Sequence, residues 1–434
     1  MTDDSPSHLR LPPSERGGRT HRPRPGTPRL TVLAPLLGAA LTVVPTVSAA
    51  AADTAPTPSA TASAGPKLPL IPSSFSSDSD TCTKASPTQV SAVPWAQLTL
   101  NLAQAGRYTQ GSGVLVGVVD TGVSPQAAGL TGRVQASGAA AQDCVGHGTF
   151  LAGVIAASAV PGSGFTGVAP RARVIAERGT DERGKASAGQ VAQGIEAAVA
   201  AGARVVLVSA ALPESTPSLR TAVEHAAAKD VLVVAPAAPD TDPRSATGQA
   251  SAPPPSSYWP ASANGVLSVM DVDITGDRPD GVPEPVHADL AAPGDGITGI
   301  GPKGTGNYVS GGASVAAAFV AGTAALVRAH LPHLTAAQTA ARLEATASHA
   351  SVPLLDPVSA LNSVLPTAAP APSPKQDAVH LADAAPRSAA VPRAWAVTGA
   401  CLLLGVLAIG AMTLARIRAS RRAAGGGSVR RVGA

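Results

Sequence analysis

Four short aliphatic runs recur through the middle of the chain: Val114 to Val119, Arg204 to Ser209, Val231 to Ala235 and Val266 to Val269. Apolar runs of this length, with no polar alternation, suit strands buried on both faces. Between them lie Ala-rich stretches with helical spacing. In Ala188 to Ala201, Val191, Ile195 and Val199 share one face, and Leu219 to Lys229 is a second such stretch. Strand, helix, strand in this rhythm predicts an α/β fold, a parallel sheet covered by helices. Composition constrains the core further. Hydrophobic residues make up 44% but aromatics only 2%, so the interior must be built from Ala, Val and Leu. Ligands of such sheets bind beyond the carboxyl ends of the strands, and Asp120 and Ser209 both close strands.

The two ends of the chain have a different chemistry. Residues 1–29 carry six Arg against three acids, and Leu30 to Ala52 follows without a charge. A basic start, an apolar run and small residues before Asp53 predict a signal peptide over 1–52. A first membrane helix is the competing reading, against which Pro35 and Pro45 interrupt the run. Ala394 to Ala415 is again charge-free, and Arg416, Arg418, Arg421 and Arg422 follow it. A helix of that length reaches roughly 33 Å, enough for a bilayer core. The positive-inside rule then predicts a transmembrane helix over 394–415 with a cytoplasmic Arg-rich tail at 416–434. Everything between the two apolar segments is expected outside the cytoplasm, anchored to the cell membrane by a single pass. A Ser/Pro/Ala-rich extension (53–80) and a Pro-rich linker (366–393, six prolines) flank a globular part at 81–365. Both flanks are expected to be extended and poorly ordered. Net charge is only +4 and the Arg residues gather at the ends, which excludes a nucleic-acid patch in the middle. Cys82, Cys144 and Cys401 form no CxxC pair, and no carboxylate cluster commits to calcium, so neither a metal nor a cofactor is expected.

Three segments carry chemistry. V-G-V-V-D-T-G-V (116–123) ends a buried strand on Asp120, a place that suits a carboxylate orienting a histidine. D-C-V-G-H-G-T-F-L-A-G (143–153) sets His147 between glycines at a helix start, with a ring of near-neutral pKa open to a cleft. S-G-G-A-S-V-A-A-A-F (310–319) puts Ser314 at the start of a long apolar helix, where its own N–H is free for an oxyanion. Each motif alone has a plain alternative: a strand-end turn, a surface histidine, an N-cap serine. Together they give the order Asp, His, Ser with separations of 27 and 167 residues, the order found in subtilisin.

D-T-G, H-G-T and G-x-S-x-A at these spacings resemble the subtilisin-like serine proteases over roughly 85–350. P-W-A-Q-L (94–98), the cysteine in D-C-V-G-H-G-T, the Pro-rich linker and the C-terminal anchor are similar to the mycosins, membrane-anchored subtilases of type VII secretion systems. The resemblance implies a doubly wound parallel sheet with helices on both faces. It also implies a serine endopeptidase acting on protein or peptide substrates through an acyl-enzyme. Asp120 would be the orienter, His147 general base then acid, and Ser314 the nucleophile. It further implies a Cys82–Cys144 disulfide, permitted in an exported chain, while Cys401 in the anchor stays unpaired. Peptide would lie along Ser209, Ala210 and Ala211, with Ala237 in the opposite wall of the specificity pocket.

Four positions depart from the family. The Asn that donates to the oxyanion aligns with Pro239, which has no donor, and losing that donor costs about a hundred- to a thousandfold in rate. Ala211, Ala313 and Ala318 replace the family's Gly, Thr and Pro. Two readings follow: a peptidase with a substitute donor from Thr241 or the loop 240–257, or a degenerate subtilase serving as a structural component of a membrane secretion complex.

Overall fold

The computed structural model describes residues 67–77, 79–241, 255 and 257–365, together with the helix at 390–424. The signal-peptide segment 1–52, most of the linker 366–393 and the end of the tail lie outside the described residues. Two short helices, α1 (Trp95–Thr99) and α2 (Leu102–Tyr108), lead into β1 (Leu115–Asp120) and β2 (Val134–Gln135). Next come α3 (His147–Ala156), β3 (Arg173–Arg178), α4 (Ala188–Ala200), β4 (Val205–Val208), α5 (Pro217–Ala228), β5 (Leu232–Pro236), β6 (Val266–Val272) and β7 (Leu290–Pro293). A hairpin, β8 (Ile297–Ile300) with β9 (Asn307–Ser310), precedes α6 (Ala313–His330), α7 (Ala336–Ala345) and α8 (Pro357–Asn362). The helix at the end is α9 (Ala390–Ala424).

The main sheet has seven parallel strands in the order β2-β3-β1-β4-β5-β6-β7. The chain starts at β1, builds β2 and β3 on one side, then crosses over to build β4 to β7 on the other. The crevice at such a switch point is where ligands gather, and Asp120 ends the strand at its centre. Alternate residues of each strand feed opposite cores. Val116, Val118, Val205 and Leu207 pack with α3 and α6, whereas Val119, Val206 and Val208 pack with α4 and α5. Both faces are therefore apolar, which is why the strands read as unbroken aliphatic runs. Helix α6 is buried almost throughout, and its small side chains let it lie close beneath the sheet.

The N-terminal extension, expected to be unpacked, lies against the domain in its described part. Ile71 is buried, its N–H donates to Val309 O at 2.9 Å, and Val309 N–H donates back to Pro69 O at 3.0 Å. Leu68, Leu70 and Ile71 are too few, and too interrupted by Pro69 and Pro72, to show a period that predicts this docking. Cys82 and Cys144 are joined at an S–S distance of 2.02 Å, 62 residues apart in sequence. Closing a loop of that length is worth about 4 kcal/mol in the chain-entropy account. Replacing both cysteines by serine is therefore expected to lower unfolding free energy by about 4 kcal/mol, read from denaturant midpoints. A loss under about 1 kcal/mol would mean that the bond constrains little of the unfolded chain.

Two described helices have the length and composition to cross a membrane, and burial separates them. Ala313–His330 is 89% buried in the domain, so it is the core helix α6. Ala400–Arg418, inside α9, is 0% buried, with Leu402, Leu403 and Leu404 open to the surroundings. It is the candidate membrane span.

Candidate active site

Asp120 is the last residue of β1, so the sheet itself holds its carboxylate in place. The side chain is 1% exposed. Oδ1 accepts the Thr121 N–H, and Oδ2 lies 2.7 Å from His147 Nδ1. Burial alone would push the carboxyl up. The His147 charge, the hydrogen bond to it, Ser209 and the Thr121 N–H together hold it below the ordinary carboxylate value.

His147 is the first residue of α3. Its backbone is set by a carboxylate that the motif contained but sequence reasoning passed over, Asp143. That buried side chain accepts from Thr121 Oγ1 at 2.9 Å, Gly146 N–H at 2.7 Å, Thr149 N–H at 2.8 Å and Thr149 Oγ1 at 2.6 Å. Thr121 Oγ1 in turn accepts the Gly148 N–H at 2.9 Å. One carboxylate thus ties the turn after β1 to the start of α3. Its signal was present, since an Asp four residues before a helix-starting His has free N–H groups to accept. Gly148 is required by close approach: a Cβ there would stand 2.1 Å from Gly122 O.

Ser314 sits in the first turn of α6 and is fully buried. Its Oγ is 3.2 Å from His147 Nε2. The structure thus brings Asp120, His147 and Ser314 into one hydrogen-bonded line. Ser209 follows β4, with its N–H and Oγ both directed at Val119 O at 3.3 Å. Ala210 and Ala211 continue from it, half-buried, and Ala237 is buried just beyond β5.

The residue in contact with Ser314 is one that sequence reasoning did not single out. Pro239 is half-buried beside it, but Asp240 makes the contact. Asp240 Oδ1 accepts the Ser314 N–H at 2.9 Å, and Oδ2 accepts the Ser314 hydroxyl at 2.7 Å. Oδ2 is also 3.6 Å from His147 Nε2. Beyond β5 the chain keeps one further bond to β6, from Ala237 N–H to Val269 O at 2.7 Å, before it bends toward Ser314. Thr241 is exposed, and 242–254 lies outside the described residues. Gly312 shapes this contact: its φ is 121°, and a Cβ there would strike the Asp240 carboxylate at 2.3 Å. Burial pulls the His147 pKa down, but Asp120 and then Asp240 push it up, to about 10. The two carboxyl groups that flank the ring both favour its protonated form. Among the described residues, no group of three His, Cys, Asp or Glu side chains is arranged to hold a metal ion.

Comparison with known proteins gives the site a context. The subtilase family model, peptidase S8, matches residues 111–379. The chain is 32% identical over 308 residues to mycosin-1 of Mycobacterium tuberculosis, covering 59% of this chain and 68% of that protein. Its fold is similar to the crystal structure of MycP1 from Mycobacterium smegmatis, with a TM-score of 0.56 at 27% identity over 66% of this chain and 89% of the other. It is equally similar to the MycP3 protease from the type VII (ESX-3) secretion system, with a TM-score of 0.55 at 30% identity over 65% and 91% of the two chains.

Proposed function

The chain belongs to the subtilase family of serine endopeptidases, and on that premise we propose that Asp120, His147 and Ser314 are its catalytic triad, acting outside the cytoplasm in a mycosin-like, membrane-anchored protease of a type VII secretion system. The observation that carries this reading is the line of contacts from Asp120 to His147 at 2.7 Å and from His147 to Ser314 at 3.2 Å, all three buried. In turnover, Ser314 Oγ attacks the scissile carbonyl while neutral His147 Nε2 takes its proton. Asp120 keeps the ring in the tautomer with hydrogen on Nδ1 and stabilises the cation that forms. His147 then protonates the leaving amine, and the acyl-enzyme is hydrolysed by the same steps in reverse order. The Ser314 N–H at the start of α6 is the backbone donor on the oxyanion side, and Asp240 Oδ1 must leave it for an oxyanion to take its place. Ser209 to Ala211 offers an edge for an extended peptide, with Ala237 in the facing wall.

Location rests on separate supports. A disulfide between Cys82 and Cys144 suits an oxidising compartment. The apolar helix at Ala400–Arg418 is a candidate span, and the Arg residues beyond it favour a cytoplasmic C-terminus. The link to type VII secretion is carried over from the similar MycP3 protease.

A biotinylated fluorophosphonate, applied to the detergent-solubilised full chain, tests the triad. The expected result is a single covalent adduct that peptide mass mapping assigns to Ser314. No adduct on folded, disulfide-bonded protein would overturn catalysis and favour a structural role in the secretion complex, a reading that the Asp240 contact with Ser314 supports.

A further inference from the structure

Peptide hydrolysis leaves a carboxylate in the site before the acyl product departs. One of its oxygens has been the oxyanion and lies at the Ser314 N–H. The other comes from the water that His147 activates, and lies between Ser314 Oγ and His147 Nε2. The Asp240 carboxyl faces the same three atoms. Oδ1 accepts the Ser314 N–H at 2.9 Å, Oδ2 accepts the Ser314 hydroxyl at 2.7 Å, and Oδ2 stands 3.6 Å from His147 Nε2. The group is placed as a product carboxylate is, with two oxygens engaged. A substrate carbonyl has a single oxygen to offer there.

The fold gives this carboxyl a berth. Helix α6 runs for 18 residues from Ala313, and Gly312 before it has no side chain to cap it. The first-turn N–H groups and the positive end of the helix dipole favour an acceptor at this place. Asp240 arrives there from the segment after β5, 74 residues away in sequence. Gly312 leaves the room, since a Cβ there would stand 2.3 Å from Oδ1. The Asp240 side chain is only 8% exposed, so little water competes for its oxygens. While Oδ1 holds the Ser314 N–H, no peptide carbonyl can use it.

We propose that Asp240 occupies the product-carboxylate site of this peptidase from within and holds the resting enzyme closed, its side chain leaving the berth for substrate to enter. The proposal rests on the reading of Ser314 as nucleophile. Every ligand that needs the Ser314 N–H then reacts only with molecules whose berth is empty, and its apparent rate is scaled by that fraction. Two hydrogen bonds are worth roughly tenfold or more in an equilibrium constant, so the empty fraction is about a tenth or less. The scaling is equal for a peptide and for a small phosphonate, because both start from the same closed form. Once vacated, the berth is a site for a small carboxylate.

Asp240→Ala empties the berth without adding a donor. In the full solubilised chain at neutral pH, the fluorophosphonate labelling rate of Ser314 and kcat/KM for a chromogenic peptide are each expected to rise about tenfold over the parent, by the same factor. Acetate then replaces the missing group in trans. At about 100 mM, well above the millimolar effective concentration of a flexibly tethered group, it should slow labelling of Asp240→Ala at least about twofold. Chloride at equal ionic strength should not, and the parent, its berth already filled, should be indifferent to both. Thermal melts and an intact disulfide establish that the variant is folded. A carboxyl that only caps α6 would instead lower the melting temperature on removal and leave both rates unraised. If Ser314 is labelled in the parent and Asp240→Ala is no faster, or is faster but indifferent to acetate, this proposal fails and the triad stands. If neither folded protein is labelled, both readings fail together.

Discussion

Ser314→Ala is expected to lower kcat by about 10^6-fold, the loss seen when subtilisin loses its nucleophile. KM should change little. Ser314 is fully buried, and its hydroxyl bonds to His147 and residue 240 rather than to the edge along Ser209 to Ala211. His147→Ala should cost about as much, and the double variant no more than either single one, because nucleophile and base act as one unit. Additive losses across the two positions would mean that His147 and Ser314 do not serve one step. Steady-state kinetics on the three variants, with far-UV circular dichroism to establish folding, decides the matter.

The sheet was legible because burial on both faces removes the alternation that ordinary strands show. Val114 to Val119 and Val231 to Ala235 announce β1 and β5 within a residue or two. The helices between them were equally plain, since Val191, Ile195 and Val199 repeat at helical spacing and all three are buried against β1 and its neighbours. What lay beyond reach was anything decided by single residues outside a periodic run. Ile71 docks the extension against β9, yet three aliphatic residues broken by prolines show no period. Asp143 organises the His147 turn through four acceptor contacts, but its partners are dispersed between Thr121 and Thr149. Asp240 shows the sharpest limit. Sequence reasoning stopped at Pro239, which aligns with the family's donor, whereas the bends after β5 bring the next side chain, Asp240, over Ser314. The loss of a donor was visible in the sequence; its replacement by a carboxylate was not.

Asp120→Asn provides a test of the other side of the ring, with an expected fall in kcat of about 10^4-fold and little change in KM, as in a triad whose histidine adopts the wrong tautomer. Asp120 is 1% exposed, and of the triad it touches His147 alone, so its effect on the chemical step passes through that ring. An amide at that place can donate to Nδ1, which leaves the ring hydrogen on Nε2, 3.2 Å from Ser314 Oγ. The lone pair needed to accept the Ser314 proton is then gone. Asp240 Oδ2, 3.6 Å from Nε2, is placed to accept from that same hydrogen. A stability measurement gives an independent readout. Asp120 is foremost among the groups that raise His147 from its ordinary 6.5 to about 10. A histidine whose folded pKa is raised stabilises the fold fully below the unfolded value, and that contribution is lost as pH rises through the folded one. The parent should therefore lose stability between about pH 6.5 and 10, and Asp120→Asn should flatten that slope. Denaturant midpoints measured at intervals across this window would show it. An unchanged slope, or a fall in kcat of less than about tenfold, would remove Asp120 from the orienting role.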